Sequence, residues 1–439
     1  MSYTAQQKTL ASPSVFNYSG ASSVAFKGEL YVFYSSQAKN GGWYNVFNTD
    51  ESQWTSYSLQ KSGASNMWIA DWTTPCAVVW HDTVFVFFNG VGNDGTWWTS
   101  SPDGRKWTQV QSVSRSMGTT SETFAKWTSP AAAVYQNVLY LVWNNSRNNG
   151  MLRYTTWSTP ADAFAKPMDV PSLGLSIWTE TSAAMTVFND QLYLFFNGSG
   201  KDGTWMTIFS NGKWSQVIPV TFPIKGSALN CTSPAVYVSE GGSQLTLFWN
   251  GSANDGLWYT NTTDGKTWLP QTSLVSTIGG QSLMNKSSPC ATVYRGTPYV
   301  FWVDPDSKLR YSRGLTFLVD PRNYDSILRA LADRYDFTLV IRDADAIQYL
   351  KARFPSGKIT LPDLAASSQL ELPNGRSLMM QPSGSGNNGY PPATTVAAFF
   401  AGLAAVIATC MGNNVYLAAT EDRVTFVTTN PANITNNQQ

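Results

Sequence analysis

The peptide FFNGxGxDGxW returns at regular intervals through the first three quarters of the chain, which marks the chain as copies of one supersecondary unit. It reads FFNGVGNDGTWWT from Phe87 to Thr99, FFNGSGKDGTWMT from Phe195 to Thr207 and FWNGSANDGLWYT from Phe248 to Thr260. Weaker copies fill the remaining register: FYSSQAKNGGWYN from Phe33, VWNNSRNNGMLRY from Val142 and FWVDPDSKLRY from Phe301. Six units at a spacing of roughly 50 to 55 residues fall in the range of solenoids and propellers.

A second element precedes each copy: TTPCAVVW at Thr73, TSPAAAVY at Thr128, TSAAMTVF at Thr181, TSPAVYV at Thr232, SSPCATVY at Ser287 and a weaker SGASSVAF at Ser19. Each unit thus offers a small-residue strand, a short turn such as His81-Asp82 or Asn189-Asp190, and an aromatic strand such as LYLFFN at Leu192. After the Asn-Gly loop, a third strand opens with Trp43, Trp97, Trp205 or Trp258, and a fourth is marked by Trp54, Trp107, Trp214 or Trp268. Four short strands bounded by Gly, Asn and Asp read as a propeller blade. The units are rich in Val, Thr, Tyr, Phe and Trp, which argues against a helical solenoid. Unit six lacks a Trp-marked fourth strand, so Tyr3 to Phe16 is expected to supply it and close the ring, removing two exposed edges.

The expected fold is an all-β six-bladed β-propeller over residues 1–315, followed by a small α+β domain over 316–439. In the latter, Asp320-Pro321 reads as a capped helix start, TLVIR at Thr338 as a strand, and Asp343 to Phe354 as a second helix. TVAAFFAGLAAVIATCM, Thr395 to Met411, reads as an uncharged helix before a hairpin of VYLAAT and RVTFVT. Seventeen residues span roughly 25 Å, short of the ~30 Å hydrocarbon core. A buried helix or a homo-oligomer contact is therefore favoured over insertion into a membrane, which stays open as a toxin-like alternative.

Charged residues make up 13% of the 439 and the net charge is +1, so no electrostatic footprint for nucleic acid or an anionic membrane is present. The four cysteines form no closely spaced pair and the chain has one histidine. No disulfide framework, metal centre or cofactor is expected. MSYTAQQKTL lacks the basic-then-apolar pattern of a signal peptide, which points to cytoplasmic synthesis, with release by a leaderless route.

In a four-stranded meander, the loops joining strands two and three share one face with the links between blades. That face gathers Asn89, Asp94, Asn148, Asn197, Asp202, Asn250 and Asp255 from the loops, with Trp72, Trp127, Trp178 and Glu180 from the entries and Trp98 beside them. Amides and carboxylates beside a flat aromatic wall suit the hydroxyls and the C–H face of a sugar ring. Asn-Gly and Asp-Gly are also strong turn formers, so each of these polar residues has a structural reading as well.

The opposite face carries SSPDGRKW at Ser100 and NTTDGKTW at Asn261, with a relic SNGKW at Ser210. These resemble the Asp-box of sialidases and related propellers, a structural turn between strands three and four. With the repeats, the first 315 residues resemble the repeat-built propeller lectins of bacteria and fungi, whose sugar pockets lie between blades. That resemblance implies a multivalent glycan-binding protein without catalysis. Fucose-binding members often place an Arg, a Glu and a Trp in each pocket, whereas here Arg153 and Arg310 alone occupy corresponding positions, so the sugar is left open. A sialidase would need an arginine triad, and no Arg precedes Arg105. A protein-interaction scaffold using the same aromatic face is the other alternative.

Overall fold

The computed structural model describes residues 8–9, 13–16, 18–37, 41–47, 54–91, 95–119, 124–125, 127–145, 151–171, 182–198, 203–220, 232–239, 242, 244–251, 256–274, 287–295 and 297–313, with short strands between 316 and 428. Six antiparallel sheets follow one another along the chain. Blade one comprises Ala21–Phe26, Glu29–Ser35, Gly42–Phe47 and Trp54–Ser58. Blade two comprises Cys76–Trp80, Thr83–Asn89, Thr96–Ser101 and Gln111–Ser112. Blade three starts at Ala131–Tyr135, blade four at Ala184–Phe188 and blade five at Ala235–Val238. Blade six holds Cys290–Tyr294, Thr297–Val303 and Leu309–Arg313, and Lys8–Thr9 pairs on its outside, Lys8 opposite Tyr311. The architecture is that of a six-bladed β-propeller.

The second strands are apolar along their whole length because blades cover both of their faces, and alternation appears only where one face meets solvent. Thr83–Asn89 is buried at every position after its first residue. The turns joining strands one and two hold paired left-handed residues, φ 46° and 52° at His81 and Asp82 and 49° and 54° at Asn189 and Asp190, the geometry that matches strand twist in a two-residue hairpin. The apolar core lies in layers between neighbouring blades. Trp107 of blade two meets Phe33 of blade one edge-on at 5.5 Å, and Trp268 of blade five meets Phe195 of blade four at 5.9 Å. Both tryptophans precede the short outer strands that they were expected to mark; they plug the gap to the previous blade instead, each 5% exposed.

The Thr-Ser-Pro segments explain themselves around the axis. The backbone N–H of Gly20 donates to Thr74 Oγ1 (2.8 Å), that of Thr74 to Ser129 Oγ (2.7 Å), that of Ser129 to Ser182 Oγ (2.6 Å) and that of Ser233 to Ser288 Oγ (2.8 Å). Each link joins a blade to the next, and Ser287 Oγ donates to Ser19 O across the seam between blades six and one. The seam also needs Gly20, because a Cβ there would stand 2.6 Å from Ser288 O. Cys76 and Cys290 line this axial channel as free thiols, and burial pushes both up to about 12. The N-terminal segment seals the seam from outside: Val15 is fully buried, donates to Ser307 O of blade six and bridges Ser36 of blade one.

The chain divides into two compact units, the propeller and one containing Arg313–Gln439. In the second, Thr316–Val319 and Thr338–Ile341 pair in parallel, and the hairpin Val415–Ala419 with Val424–Thr428 adds antiparallel to the latter. The helices expected from Asp320, over Asp343–Phe354 and over Thr395–Met411 lie outside the described residues.

On the face away from the Asn-Gly loops, two turns repeat atom for atom. Asp103 Oδ1 accepts the N–H groups of Lys106 and Arg105 and the hydroxyl of Ser101; Asp264 Oδ1 accepts those of Thr267 and Lys266 and the hydroxyl of Thr262. The Lys106 and Arg105 N–H groups hold Asp103 at about 2, below the ordinary 3.8. For Asp264, burial pushes upward, and the N–H groups of Thr267 and Lys266 outweigh it, again giving about 2. A carboxyl lowered by folding adds stability above its ordinary range and loses it as pH falls through the folded value. The melting temperature should therefore drop as pH falls from about 4 to about 2, and the double variant Asp103→Asn, Asp264→Asn should show a shallower drop in differential scanning calorimetry. Parallel curves would show that these turns carry none of the acid sensitivity.

Candidate functional site

In blades one, two and three the same local geometry lies between the entry to the blade and the end of its second strand. Val15 bridges Ser36, Ile69 bridges Gly90 and Phe124 bridges Asn145, the same register in blades one, two and three. Each segment then turns: Ser19 N donates to Phe16 O, Thr73 N to Ala70 O and Thr128 N to Ala125 O. The third residue of each turn is Tyr18, Trp72 or Trp127, at φ 63°, 65° and 67°. Turns of this kind favour glycine at that place, and a bulky side chain there costs about 1 to 2 kcal/mol. The surroundings hold Trp127 in it, because Thr128 Oγ1 donates to Ala125 O and the Thr128 carbonyl accepts from Asn89 Nδ2 of the preceding blade.

Blades one and two part on this face to leave an open cleft of about 680 Å³. Blade one contributes Ser35 and Ser36, the N-terminal segment Phe16, and blade two Trp68, Asp71, Val91 and the half-buried Trp97. Trp68 is 49% exposed and Val91 57%, and the Val91 N–H donates to Trp68 O, fixing the two side by side. Large exposed apolar side chains are few among the described residues, and these two share one cleft with Tyr18 close by. The described lining residues include no Lys or Arg, and Asp71 is their one carboxylate.

The Asn-Gly motif has a different task from the one its chemistry suggests. Asn89 is 5% exposed, donates to Thr128 O of blade three and accepts from Thr96 Oγ1. Asn197 repeats this in blade four: 2% exposed, it donates to Thr232 O of blade five (2.7 Å) and accepts from Thr204 Oγ1 (2.9 Å). Asn250 is fully buried. Asn89 and Asn197 are therefore internal clamps between blades, and all three amides are buried away from a ligand. The glycines close the loop behind them, with Gly90 N donating to Gly95 O, Gly198 N to Gly203 O and Gly251 N to Gly256 O. Trp98 also belongs to the core: neighbours on a strand face opposite ways, so while Trp97 borders the cleft, Trp98 packs 5.0 Å from Trp157 between blades two and three.

Of the residues expected at the ligand face, Trp72 and Trp127 are half-buried on it, and Asp94, Asn148, Trp178, Glu180, Asp202 and Asp255 lie outside the described residues. Sequence reasoning missed Trp68. The signal was its departure from the repeat, since the corresponding places hold Ser14 and Thr123.

No protein-family profile matches the chain, and no curated protein does. Solved structures match over the propeller. The protein AofleA from Arthrobotrys oligospora superposes with a TM-score of 0.52 at 11% identity, covering 70% of this chain and 86% of that one. A variant of Aleuria aurantia lectin in complex with Fucα1-6GlcNAc gives 0.50 at 13%, covering 69% and 94%. A Hadza microbial sialidase gives 0.51 at 10%, covering 68% and 65%. The likeness is one of fold.

The clamp assignment has a direct consequence. Asn197→Ala leaves a buried carbonyl and a buried hydroxyl without partners, at about 1 to 3 kcal/mol each. The variant should unfold at lower denaturant and bind any ligand of the propeller with unchanged affinity once folded. Wild-type stability, or selective loss of binding in a fully stable variant, would return Asn197 to the ligand face.

Proposed function

We propose that the protein is a non-catalytic carbohydrate-binding protein of the propeller-lectin type and that the cleft between blades one and two is a working site. The observation that carries this reading is the exposed Trp68 set beside Val91 in a cleft of about 680 Å³, inside the roughly 300 to 1,000 Å³ range of small-ligand sites. An exposed indole offers its face to sugar C–H groups, and the exposed Asn66 and Asp71 offer an amide and a carboxylate to sugar hydroxyls. The fold likeness to Aleuria aurantia lectin supports the class.

The cleft chemistry favours a neutral sugar. A carboxylated sugar would want cations, and the described lining has none.

A glycan array should show retention of neutral glycans, with sialylated ones no better than their neutral cores. Trp68→Ala should then weaken the best neutral ligand by about 1 to 3 kcal/mol in calorimetry with a monovalent sugar, without lowering the melting temperature. Silence across the array, or full affinity in Trp68→Ala, would sink the assignment.

A further inference from the structure

The turn residues that precede the axial ring form an aromatic arc that the cleft alone does not use. The rings of Trp72 and Trp127 lie 4.9 Å apart at 34°, and Tyr18 meets Trp72 edge-on at 5.4 Å. Tyr18 is 38% exposed, and both tryptophans are half-buried. All three stand in left-handed backbone where glycine would fit without strain.

If blade construction demanded an aromatic here, every blade would carry one. The position immediately before the Thr or Ser of each entry reads Tyr18, Trp72, Trp127, Glu180, Cys231 and Lys286. The aromatics occupy three consecutive blades and stop. Those blades include the two that form the cleft. Asp71 lines the cleft and Trp72 follows it directly; Phe16 lines it and Tyr18 stands two residues on. With about 3.8 Å between consecutive Cα atoms, the arc begins where the cleft ends. It runs from there across to blade three.

Resting on the carbohydrate reading above, we propose that Tyr18, Trp72 and Trp127 form an extension of the blade one–two cleft that takes the further rings of a neutral oligosaccharide, so that the site selects chains over single sugars. The surface is uncharged along its three rings, and its flat aromatic faces match successive pyranose rings better than they match a peptide needing backbone partners. A cleft of about 680 Å³ already holds more than one ring. The three rings also brace one another, Trp72 standing 4.9 Å from Trp127 and 5.4 Å from Tyr18, and the exposed part of that cluster is the surface offered to a ligand.

The test uses the full chain and calorimetry with matched pairs: N-acetylglucosamine and chitotriose, glucose and cellotriose, fucose and Fucα1-6GlcNAc. The longer member of the bound pair should be at least about tenfold tighter. Trp127→Gly should remove that gain, leave the monosaccharide affinity as it was and keep the melting temperature near wild type, because glycine relieves the left-handed strain. Trp68→Ala should weaken both members. Equal affinity for short and long ligands overturns the extension while leaving the cleft reading intact. So does a Trp127→Gly variant that melts far lower yet retains the length gain, which would make Trp127 a packing residue. Binding of no sugar in any pair removes the carbohydrate reading and the extension together.

Discussion

The ring depends on one kind of joint: a backbone N–H of one blade donated to a Ser or Thr hydroxyl of the next, at the place where six sheets converge on an axis. Inner strands there are too close for large side chains, which is why small residues follow the Thr-Ser-Pro segments, and each buried donor must find an acceptor. The hydroxyls from Thr74 to Ser288 supply it. Farther out, the Asn89 and Asn197 amides repeat the stitch from strand two to the neighbouring entry. The aromatic layers between blades add the bulk of the burial, but the polar joints set which blade meets which and at what angle.

Much of this was legible as repetition. Blade number, strand order within a blade and the hairpin turns follow from the spacing of motifs, because each blade must solve the same packing problem with the same residues. Two of the polar residues expected at the ligand face serve the ring for the same reason. Asn89 and Asn197 recur at one register because each clamps its blade to the next entry, and Asn250 is buried at the same place. Trp98 shows the limit from another side: whether a tryptophan on a given strand faces a cleft or a neighbouring blade turns on one step of register. The informative residues were the irregular ones, Trp68 above all, whose exposure has no counterpart at the same place in the repeat.

The tryptophans thus divide by task. Trp143, Trp157 and Trp249 are almost wholly buried and fill the layers between sheets, where a large flat side chain covers the gap that opens as blades splay outward. Trp68, Trp72 and Trp127 sit on the one face where the chain passes between blades, Trp68 held beside Val91 by a backbone bond and the other two by turns. The turns that carry Trp72 and Trp127 are each closed by two hydrogen bonds, so under the proposed function these side chains would be ordered before a ligand arrives and would lose little conformational entropy on binding.

The axial joint is also directional. From blade one through blade four, and again from five to six, the donor lies on one blade and the acceptor on the next, so these contacts are head-to-tail, and such contacts repeat without limit unless geometry closes them. A copied blade brings both halves of its own joint, so a ring of this kind can lengthen by duplication of a gene segment with no new interface to invent. The seam is where that pattern changes: Ser287 Oγ donates to Ser19 O, and Gly20 leaves the space in which a Cβ would stand 2.6 Å from Ser288 O. The closing joint therefore has a chemistry of its own, which a blade copied elsewhere in the ring does not bring with it.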